Sequence, residues 1–331
     1  MHAPEMLTQP QTTPEEEKFD RALRPESLTD YVGQDQIKES LRIAMKAAQQ
    51  RNQTVDHILL YGPPGLGKTS LAHIVAKEMG TEVRIASGPS LTKAGDLAAI
   101  LTNLQEGDIL FIDEIHRLQR SVEETLYPAM EDRALDIIIG KGPSARTVRL
   151  NLPSFTLVGA TTRAGSLSHP LRERFGLIHR LEYYSEDELS SVLARSAQLL
   201  TLNVSPEALT HIAGRSRKTP RVANRLLRRV RDFASVYSHP EVDEAVAKAA
   251  LNQLGIDSLG LDIIDRSILT TIADQFSGGP VGLETLAAAT GEEAETLEDV
   301  IEPFLLRLGF LERTPRGRMI TNLAREHLAS T

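Results

Sequence analysis

The 331-residue sequence contains neither cysteine nor tryptophan, and aromatic residues make up only 4% of it. Without cysteine, disulfide bonds, thiolate metal sites and cysteine nucleophiles are excluded, and we expect a reducing, cytoplasmic environment. The cores must therefore be built mainly from Leu, Ile, Val and Ala. No apolar run reaches the roughly 20 residues that span a bilayer, so we predict no membrane segment.

A uniformly basic surface is also lacking, because the formal net charge is -8. Any contact with nucleic acid must therefore come from a local basic patch. Residues 1–18 are rich in Pro, Thr, Gln and Glu and lack the apolar core of a signal peptide. We predict a disordered tail there. The remaining length suffices for two or three compact domains.

Residues 19–184 alternate apolar runs with helical patterns. Residues 57–61, 109–112 and 155–158 are short apolar runs typical of buried strands, and residues 69–79 show the spacing of a helix. Strands that alternate with helices build parallel sheets covered on both faces. We therefore predict an α/β domain over this range.

The pattern changes at Ser185, which opens a helix and forms a capping box with Glu188. Residues 185–255 show only helical periodicity and predict a small all-α domain. Residues 256–331 begin with a glycine-containing linker and continue as three helices, followed by two short strands around a Pro-Gly turn at residues 314–317. Three helices and a hairpin predict a winged helix.

Residues 62–69, GPPGLGKT, match the pattern G-x-x-x-x-G-K-[ST] without a mismatch, between a predicted strand and a predicted helix. Glycines let backbone N–H groups close around phosphate oxygens, and the N-terminus of the helix adds the positive end of its dipole. We predict that Lys68 reaches the β- and γ-phosphates of ATP and that Thr69 binds Mg²⁺. The nucleotide-binding residues predicted here are Gly62, Gly65, Gly67, Lys68, Thr69 and Ser70.

A second motif, DILFIDE at residues 108–114, is an apolar strand that ends in two acids. Ligands of open α/β sheets bind at the C-terminal ends of the strands. We predict that Asp113 holds Mg²⁺ through water and that Glu114 orients and polarises the attacking water. A strand that ends in acids is weak evidence for an ATP-hydrolysing site on its own. Together with the glycine-rich motif at residues 62–69, called a P-loop, it is strong evidence.

Three further segments accompany these motifs: DEIH at 113–116, GATTR at 159–163 and LRERF at 171–175. Together they resemble the AAA+ ATPases. That resemblance implies that a polar residue after the second motif, called sensor 1, touches the γ-phosphate or the attacking water. By its place in the motif this residue is Thr162, with Thr161 as the alternative.

The same resemblance implies an arginine finger, which projects from one subunit into the nucleotide site of the next. Arg174 matches this position, and Arg172 is its competitor. A finger stabilises charge on the transferring phosphoryl group only when the neighbouring subunit is docked, so it implies a ring. Arg221, which follows the helix-starting Pro220, matches sensor 2, an arginine that reports the γ-phosphate to the small domain.

Segments at residues 23–25, 31–34, 131–133 and 181–184 narrow the resemblance to the RuvB family, and it extends from about residue 19 to the end. It implies an ATP-driven DNA motor that moves Holliday junctions in recombination and repair. It also implies a homo-hexameric ring, a RuvA-type junction-binding partner and a RuvC-type resolvase in the same complex. The resemblance also implies eight further nucleotide-binding residues: Leu23, Arg24, Glu131, Asp132, Arg133, Arg174, Tyr184 and Arg221.

Two hairpins carry the predicted contacts with other molecules. The first spans residues 135–150, and the resemblance implies that Ile137, Ile138 and Ile139 dock onto the RuvA-type partner. In the predicted wing, Arg313, Arg316 and Arg318 lie close together in sequence and can follow a phosphate backbone without reading bases. The resemblance favours Arg313 and Arg318 as the contacts with duplex DNA at the four-way junction.

Two other functions compete with this interpretation. A clamp-loader-like or initiator-like AAA+ ATPase would use the same P-loop, acids and finger, but it would not need the hairpin at 135–150 or the wing. A nucleotide-stabilised scaffold would not need Lys68, Thr69, Asp113 and Glu114 together. The motor is therefore the function we predict.

Overall fold

The computed structural model describes residues 19–139 and 146–330, without the side chains of residues 137–139. The predicted tail at 1–18 lies outside the described residues. The chain forms two compact units, one of residues 24–183 and one that joins the residues up to 23 to those from 184 onward. Within the described ranges, the structure has no helix of the length and apolarity that membrane crossing requires.

A five-stranded parallel sheet organises residues 24–183, with the strand order β2-β3-β6-β1-β7. Its strands are β1 (Ile58–Tyr61), β2 (Val83–Ser87), β3 (Ile109–Asp113), β6 (Thr156–Thr161) and β7 (Leu177–Arg180). The three central strands, β1, β3 and β6, are almost wholly buried. The predicted parallel α/β fold is confirmed.

The two edge strands, β2 and β7, are not predicted from the sequence. Both are half exposed and contain polar residues, so neither shows the continuous apolar run of a central strand. The helices around the sheet are α1 (Asp35–Arg51), α2 (Lys68–Met79), α3 (Ala94–Leu101), α4 (Arg120–Glu131) and α5 (His169–Glu173). Single 3-10 turns occupy Gly88–Ser90, Ile115–Arg117 and Ala164–Ser166.

The predicted hairpin forms a separate antiparallel sheet of β4 (Ala134–Ile139) and β5 (Arg146–Asn151). Every residue of β5 is exposed. The turn at 140–145 and the side chains of Ile137, Ile138 and Ile139 lie outside the described part, so the structure gives no side-chain geometry for the predicted partner contacts.

The second unit begins with four helices: α6 (Glu186–Leu199), α7 (Pro206–Gly214), α8 (Pro220–Val236) and α9 (Glu244–Gln253). Ser185 caps α6 and forms the predicted capping box with Glu188. Pro220 lies in the first turn of α8, where the sequence predicts a helix to start, and Thr219 caps this helix.

The remainder of this unit is a winged helix. Its helices are α10 (Ile263–Asp274), α11 (Leu283–Thr290), α12 (Ala294–Thr296), α13 (Glu302–Arg307) and α14 (Asn322–Ser330), with a π-helical turn at Leu297–Ile301. The wing is the antiparallel pair β8 (Leu311–Thr314) and β9 (Gly317–Ile320). The helix α14 was not predicted. The division of the chain at residues 184/185 and 255/256 stays a prediction.

A buried ionic cluster connects the loop before α8 to the start of α10. The Arg217 guanidinium donates to Asp262 at 2.9 Å and to Asp265 at 2.7 Å, and it lies over the Phe304 ring at 4.6 Å. Asp265 has no solvent exposure. Burial raises the pKa of Asp265 to about 7, aided by the charge of Asp262 and opposed by that of Arg217. One proton therefore makes the cluster neutral, with one guanidinium and one carboxylate charged.

This cluster predicts how stability depends on pH. The folded state keeps the Asp265 proton up to about pH 7, whereas an unfolded Asp loses it near pH 4. The contribution of this proton to the free energy of unfolding is complete below about pH 4. It declines by on the order of 1 kcal/mol per pH unit as the pH rises to about 7. We expect the free energy of unfolding of the wild type, minus that of Asp265→Asn, to fall between pH 5 and 7 in denaturant titrations. A difference that is constant with pH would contradict this assignment.

Candidate nucleotide site and DNA interface

The glycine-rich loop lies between β1 and α2. Gly67 precedes α2 with a φ of 97°, and Gly62 has a φ of 143°; a Cβ at Gly62 would lie 2.7 Å from the Leu181 carbonyl oxygen. Both positions therefore require glycine. The buried Lys68 Nζ donates to the Gly62 carbonyl at 2.8 Å and to the Pro63 carbonyl at 3.0 Å. The loop thus wraps around the ammonium group.

Tyr31 supports this loop, and the sequence analysis did not include it among the site residues. Its hydroxyl donates to the Leu66 carbonyl at 3.0 Å, and a Cβ added at Gly67 would lie 2.6 Å from the same hydroxyl. The buried ring therefore fixes the loop where α2 begins. Tyr31 is 35 residues before Leu66, and sequence spacing alone does not reveal such a contact.

Asp113 and Glu114 lie at the C-terminal end of β3, as predicted. Asp113 Oδ1 accepts a hydrogen bond from the Glu114 backbone N–H at 3.0 Å. Glu114 Oε2 accepts from the Thr162 hydroxyl at 3.1 Å and lies 3.2 Å from His116 Nδ1. Burial raises the pKa of Glu114, but the His116 hydrogen bond and the Lys68 charge outweigh burial and hold that pKa below its usual range. Glu114 is thus an ionised acceptor near Lys68.

The two threonines considered for sensor 1 have different surroundings. Thr162 contacts the Glu114 carboxylate through its hydroxyl and, at 3.3 Å, through its backbone N–H. Thr161 is fully buried and lies 2.9 Å from His116 Nδ1. Thr162 is therefore the threonine that contacts the predicted catalytic carboxylate.

The predicted magnesium ligands are both oxygen donors, the hydroxyl of Thr69 and the carboxylate of Asp113. Within residues 19–139 and 146–330, no three His, Cys, Asp or Glu side chains cluster as a metal site. Mg²⁺ is commonly held by one or two protein oxygens together with substrate phosphates and water. The two residues fit that mode of binding rather than an all-protein cage.

Arg174 contacts other side chains of its own unit. Its guanidinium forms an ion pair with Glu131 at 3.0 Å, donates to the Pro170 carbonyl at 2.6 Å and lies over the Tyr127 ring at 4.4 Å. Arg172, the competing finger, is exposed. The predicted finger therefore contacts residues of its own unit, among them Glu131. Glu131, Asp132 and Arg133 form a triplet of consecutive predicted nucleotide-binding residues.

The other two residues of that triplet are also exposed. Asp132 pairs with Arg149 of β5 at 2.6 Å, and the Arg133 guanidinium donates to the Ser154 hydroxyl. The triplet is thus connected to the base of the hairpin. On β5, the exposed apolar side chains are Val148 and Leu150.

Of the remaining predicted nucleotide contacts, Arg24 belongs to the unit of residues 24–183. Leu23, Tyr184 and Arg221 belong to the other unit. Leu23 and Tyr184 are buried, and the Leu23 carbonyl accepts a hydrogen bond from Arg195 at 2.8 Å. Arg221 is exposed in the first turn of α8.

Two of the three wing arginines are held by a buried carboxylate that the sequence pattern does not reveal. Glu302, which is 1% exposed, accepts from Arg313 Nε at 2.7 Å and from Arg318 Nε at 2.6 Å. Arg316 is exposed in the turn of the wing. The wing is therefore not a set of three independent cations, because Arg318 and Arg313 share one counter-charge.

Three consecutive parts of the chain match family models. Residues 23–181 match the Holliday junction DNA helicase RuvB P-loop domain, residues 184–257 the RuvB AAA lid domain, and residues 258–329 the RuvB C-terminal winged helix domain. A curated relative, the Holliday junction branch migration complex subunit RuvB of Chloroflexus aggregans, is 57% identical over 98% of this chain and 93% of its own.

Solved structures of Thermotoga maritima RuvB also match. The one described as the Holliday junction branch migration motor is 49% identical, has a TM-score of 0.84 and is matched over 93% of this chain and 98% of its own. A single-substitution mutant of the same protein is 50% identical over the same shares, with a TM-score of 0.85.

Proposed function

The chain belongs to the RuvB family of Holliday junction branch migration motors, and from that premise we propose how its residues convert ATP hydrolysis into movement of DNA. It is an AAA+ ATP hydrolase, and the family match across all three domains favours the motor over a clamp loader or initiator. The motor pulls duplex DNA through a four-way junction held by a RuvA-type protein. The observation that carries this proposal is the grouping of Lys68, Glu114 and Thr162 in the matched P-loop domain.

Lys68 binds the β- and γ-phosphates of ATP as a point charge, with backbone N–H groups of the glycine-rich loop and Ser70 beside it. Thr69, and Asp113 through water, would hold Mg²⁺, which would neutralise charge on the phosphate oxygens. Glu114 accepts a hydrogen bond from the attacking water. Thr162 acts as sensor 1 at the γ-phosphate or that water, and its hydroxyl also contacts the Glu114 carboxylate. The lowered pKa of Glu114 supports a role in orienting and polarising water, because a weakly basic carboxylate stays ionised.

Arg174 completes the site of a neighbouring subunit in a homo-hexameric ring. Its ion pair with Glu131 and its contact with Tyr127 keep it ordered before a neighbour docks. Arg221 reports the γ-phosphate to the small domain. Leu23 and Arg24 belong to a segment that resembles the one around adenine in the family, and Tyr184 is a further nucleotide contact. The triplet of Glu131, Asp132 and Arg133 lies at the subunit boundary near the nucleotide.

The hairpin of β4 and β5 docks onto the RuvA-type partner through Ile137, Ile138 and Ile139. The exposed face of β5 supports this proposal, since it offers apolar side chains on the neighbouring strand. A RuvC-type resolvase joins the same complex, which acts in the cytoplasm. Domain boundaries at residues 18/19, 184/185 and 255/256 divide the tail, the ATPase domain, the small helical domain and the winged helix.

Phosphate release from Mg-ATP tests this function. We expect hydrolysis that increases when a four-way junction and the RuvA-type protein are both added. A chain that binds nucleotide without releasing phosphate would instead be a scaffold.

The wing binds the DNA backbone through Arg313, Arg316 and Arg318. We expect Arg313→Ala/Arg316→Ala to weaken duplex binding equally for all sequences, because phosphates carry no base information. The slope of log K against log salt should flatten by roughly 0.9 for each phosphate that the variant no longer neutralises. In this variant Arg318 still donates to the buried Glu302 carboxylate. The carboxylate therefore keeps a counter-charge, and we expect the fold to persist. Fluorescence anisotropy at several salt concentrations measures the slope.

The matched control for the wing is Arg120→Ala, which removes an exposed arginine of α4. It should leave the salt slope unchanged. An unchanged slope in Arg313→Ala/Arg316→Ala would remove these arginines from the DNA interface.

A further inference from the structure

His116 is a polar side chain beside Glu114 to which the function above assigns no task. It lies in the 3-10 turn that follows β3, two residues after Glu114, and its side chain is 10% exposed. Its Nδ1 lies 3.2 Å from Glu114 Oε2 and 2.9 Å from the Thr161 hydroxyl. A nearly buried ring thus contacts the carboxylate that would orient the attacking water.

The chemistry of the carboxylate determines which atom carries the hydrogen. A carboxylate oxygen accepts hydrogen bonds, so a hydrogen bond between the two groups places the ring hydrogen on Nδ1. Nδ1–H then lies between two acceptors, the Thr161 hydroxyl oxygen at 2.9 Å and Glu114 Oε2 at 3.2 Å, and Oε2 also accepts from Thr162. Both donors converge on Oε2. Oε1 is then the oxygen available to a water molecule.

The backbone of Glu114 is fixed independently of its side chain. Its φ of 47° is in the left-handed region, and its carbonyl accepts a hydrogen bond from the Arg117 N–H at 2.9 Å. A Cβ at Gly88 would lie 2.3 Å from that carbonyl oxygen, so the main chain packs tightly there. The main chain is therefore held, and only rotation of the side chain remains to be restrained.

We propose that His116 is a positioning residue for ATP hydrolysis, which holds the Glu114 carboxylate through Nδ1–H so that its other oxygen faces the attacking water. This inference rests on the proposed role of Glu114. Thr162 alone restrains the carboxylate from one side, and His116 completes the restraint. Misplacement of a catalytic group by about 1 Å can cost about 100-fold in rate, so loss of the His116 donor has a large effect on turnover.

The test uses three substitutions of His116 in the full-length protein. Asn carries a donor at the same distance from the main chain as Nδ1, Gln carries one at the position of Nε2, and Leu carries none. We expect His116→Leu to lower kcat for ATP about 100-fold with little change in KM or in the Kd for ADP. His116→Asn should recover most of that loss, whereas His116→Gln should resemble His116→Leu.

The Asn and Gln variants keep the test decisive if the Leu variant folds poorly, since both are polar and of similar size. Equal rates in Asn and Gln, a wild-type rate in Leu, or a Leu variant faster than wild type would each overturn the inference. Glu114→Gln separates the two proposals. If Glu114→Gln turns over ATP normally, the proposed role of Glu114 fails; if it is inactive while His116→Leu is normal, only the role of His116 fails.

Discussion

Replacing Arg174 with alanine should leave nucleotide binding intact and lower ATP turnover by about a thousandfold, the scale on which arginine fingers act. The guanidinium stabilises charge that develops on the transferring phosphoryl group, so its loss affects the transition state and not the bound nucleotide. Arg172→Ala is the matched control, because it removes an exposed arginine two residues away. That variant should hydrolyse ATP at nearly the wild-type rate.

Mixing two inactive variants tests whether Arg174 acts in the neighbouring subunit. Arg174→Ala keeps an intact P-loop, whereas Lys68→Ala keeps an intact finger. Where the two meet in one ring, some interfaces contain both elements, so part of the turnover should return on mixing. A dilute, monomeric Arg174→Ala protein that hydrolyses ATP like the wild type would contradict a finger supplied by the neighbour.

The second large effect concerns Glu114. We expect Glu114→Gln to bind ATP with affinity close to wild type and to lower kcat by at least about 100-fold, since the amide is a weaker acceptor for the water proton. Lys68→Ala should instead lose affinity, because it removes the charge that the loop wraps. Isothermal titration with a non-hydrolysable ATP analogue and phosphate release measure the two properties separately. Turnover of Glu114→Gln within about twofold of wild type would remove Glu114 from the reaction.

The features of this molecule that the sequence predicted well depend on residues that lie close together in the chain. The P-loop places its glycines, lysine and threonine within eight consecutive residues, and the adjoining strand and helix follow from hydrophobic spacing. Ser185 is a cap whose capping-box partner, Glu188, lies three residues away. Such short-range patterns do not depend on how distant segments pack.

The contacts that sequence missed join residues far apart in the chain. Tyr31 contacts Leu66, and Glu302 binds Arg313 and Arg318 from the helix before the wing. Edge strands such as β7 were also not predicted, because their half-exposed residues lack the apolar run of a central strand. The hydrophobic pattern of the sequence cannot show such contacts or strand pairings, because they form only when the helices and strands pack together.

The contacts of Arg174 within its own unit are also not visible in the sequence pattern. Its position in the LRERF segment identified it as a finger by resemblance, but that segment gave no sign of Glu131 or Tyr127 as its partners. The cluster of Arg217, Asp262 and Asp265 is similar, because each residue on its own resembles a solvated surface charge. Burial of all three, and the raised pKa of Asp265, depend on the packing of α10 against the loop before α8.

In the proposed function, ATP hydrolysis by this chain moves a Holliday junction. The direct measurement is ATP-dependent dissociation of a synthetic four-way junction, with and without the RuvA-type protein, using Lys68→Ala as the blank. We predict dissociation that the partner stimulates and that the blank lacks. Robust ATP hydrolysis without any dissociation of the junction would show that this chain is not a branch migration motor.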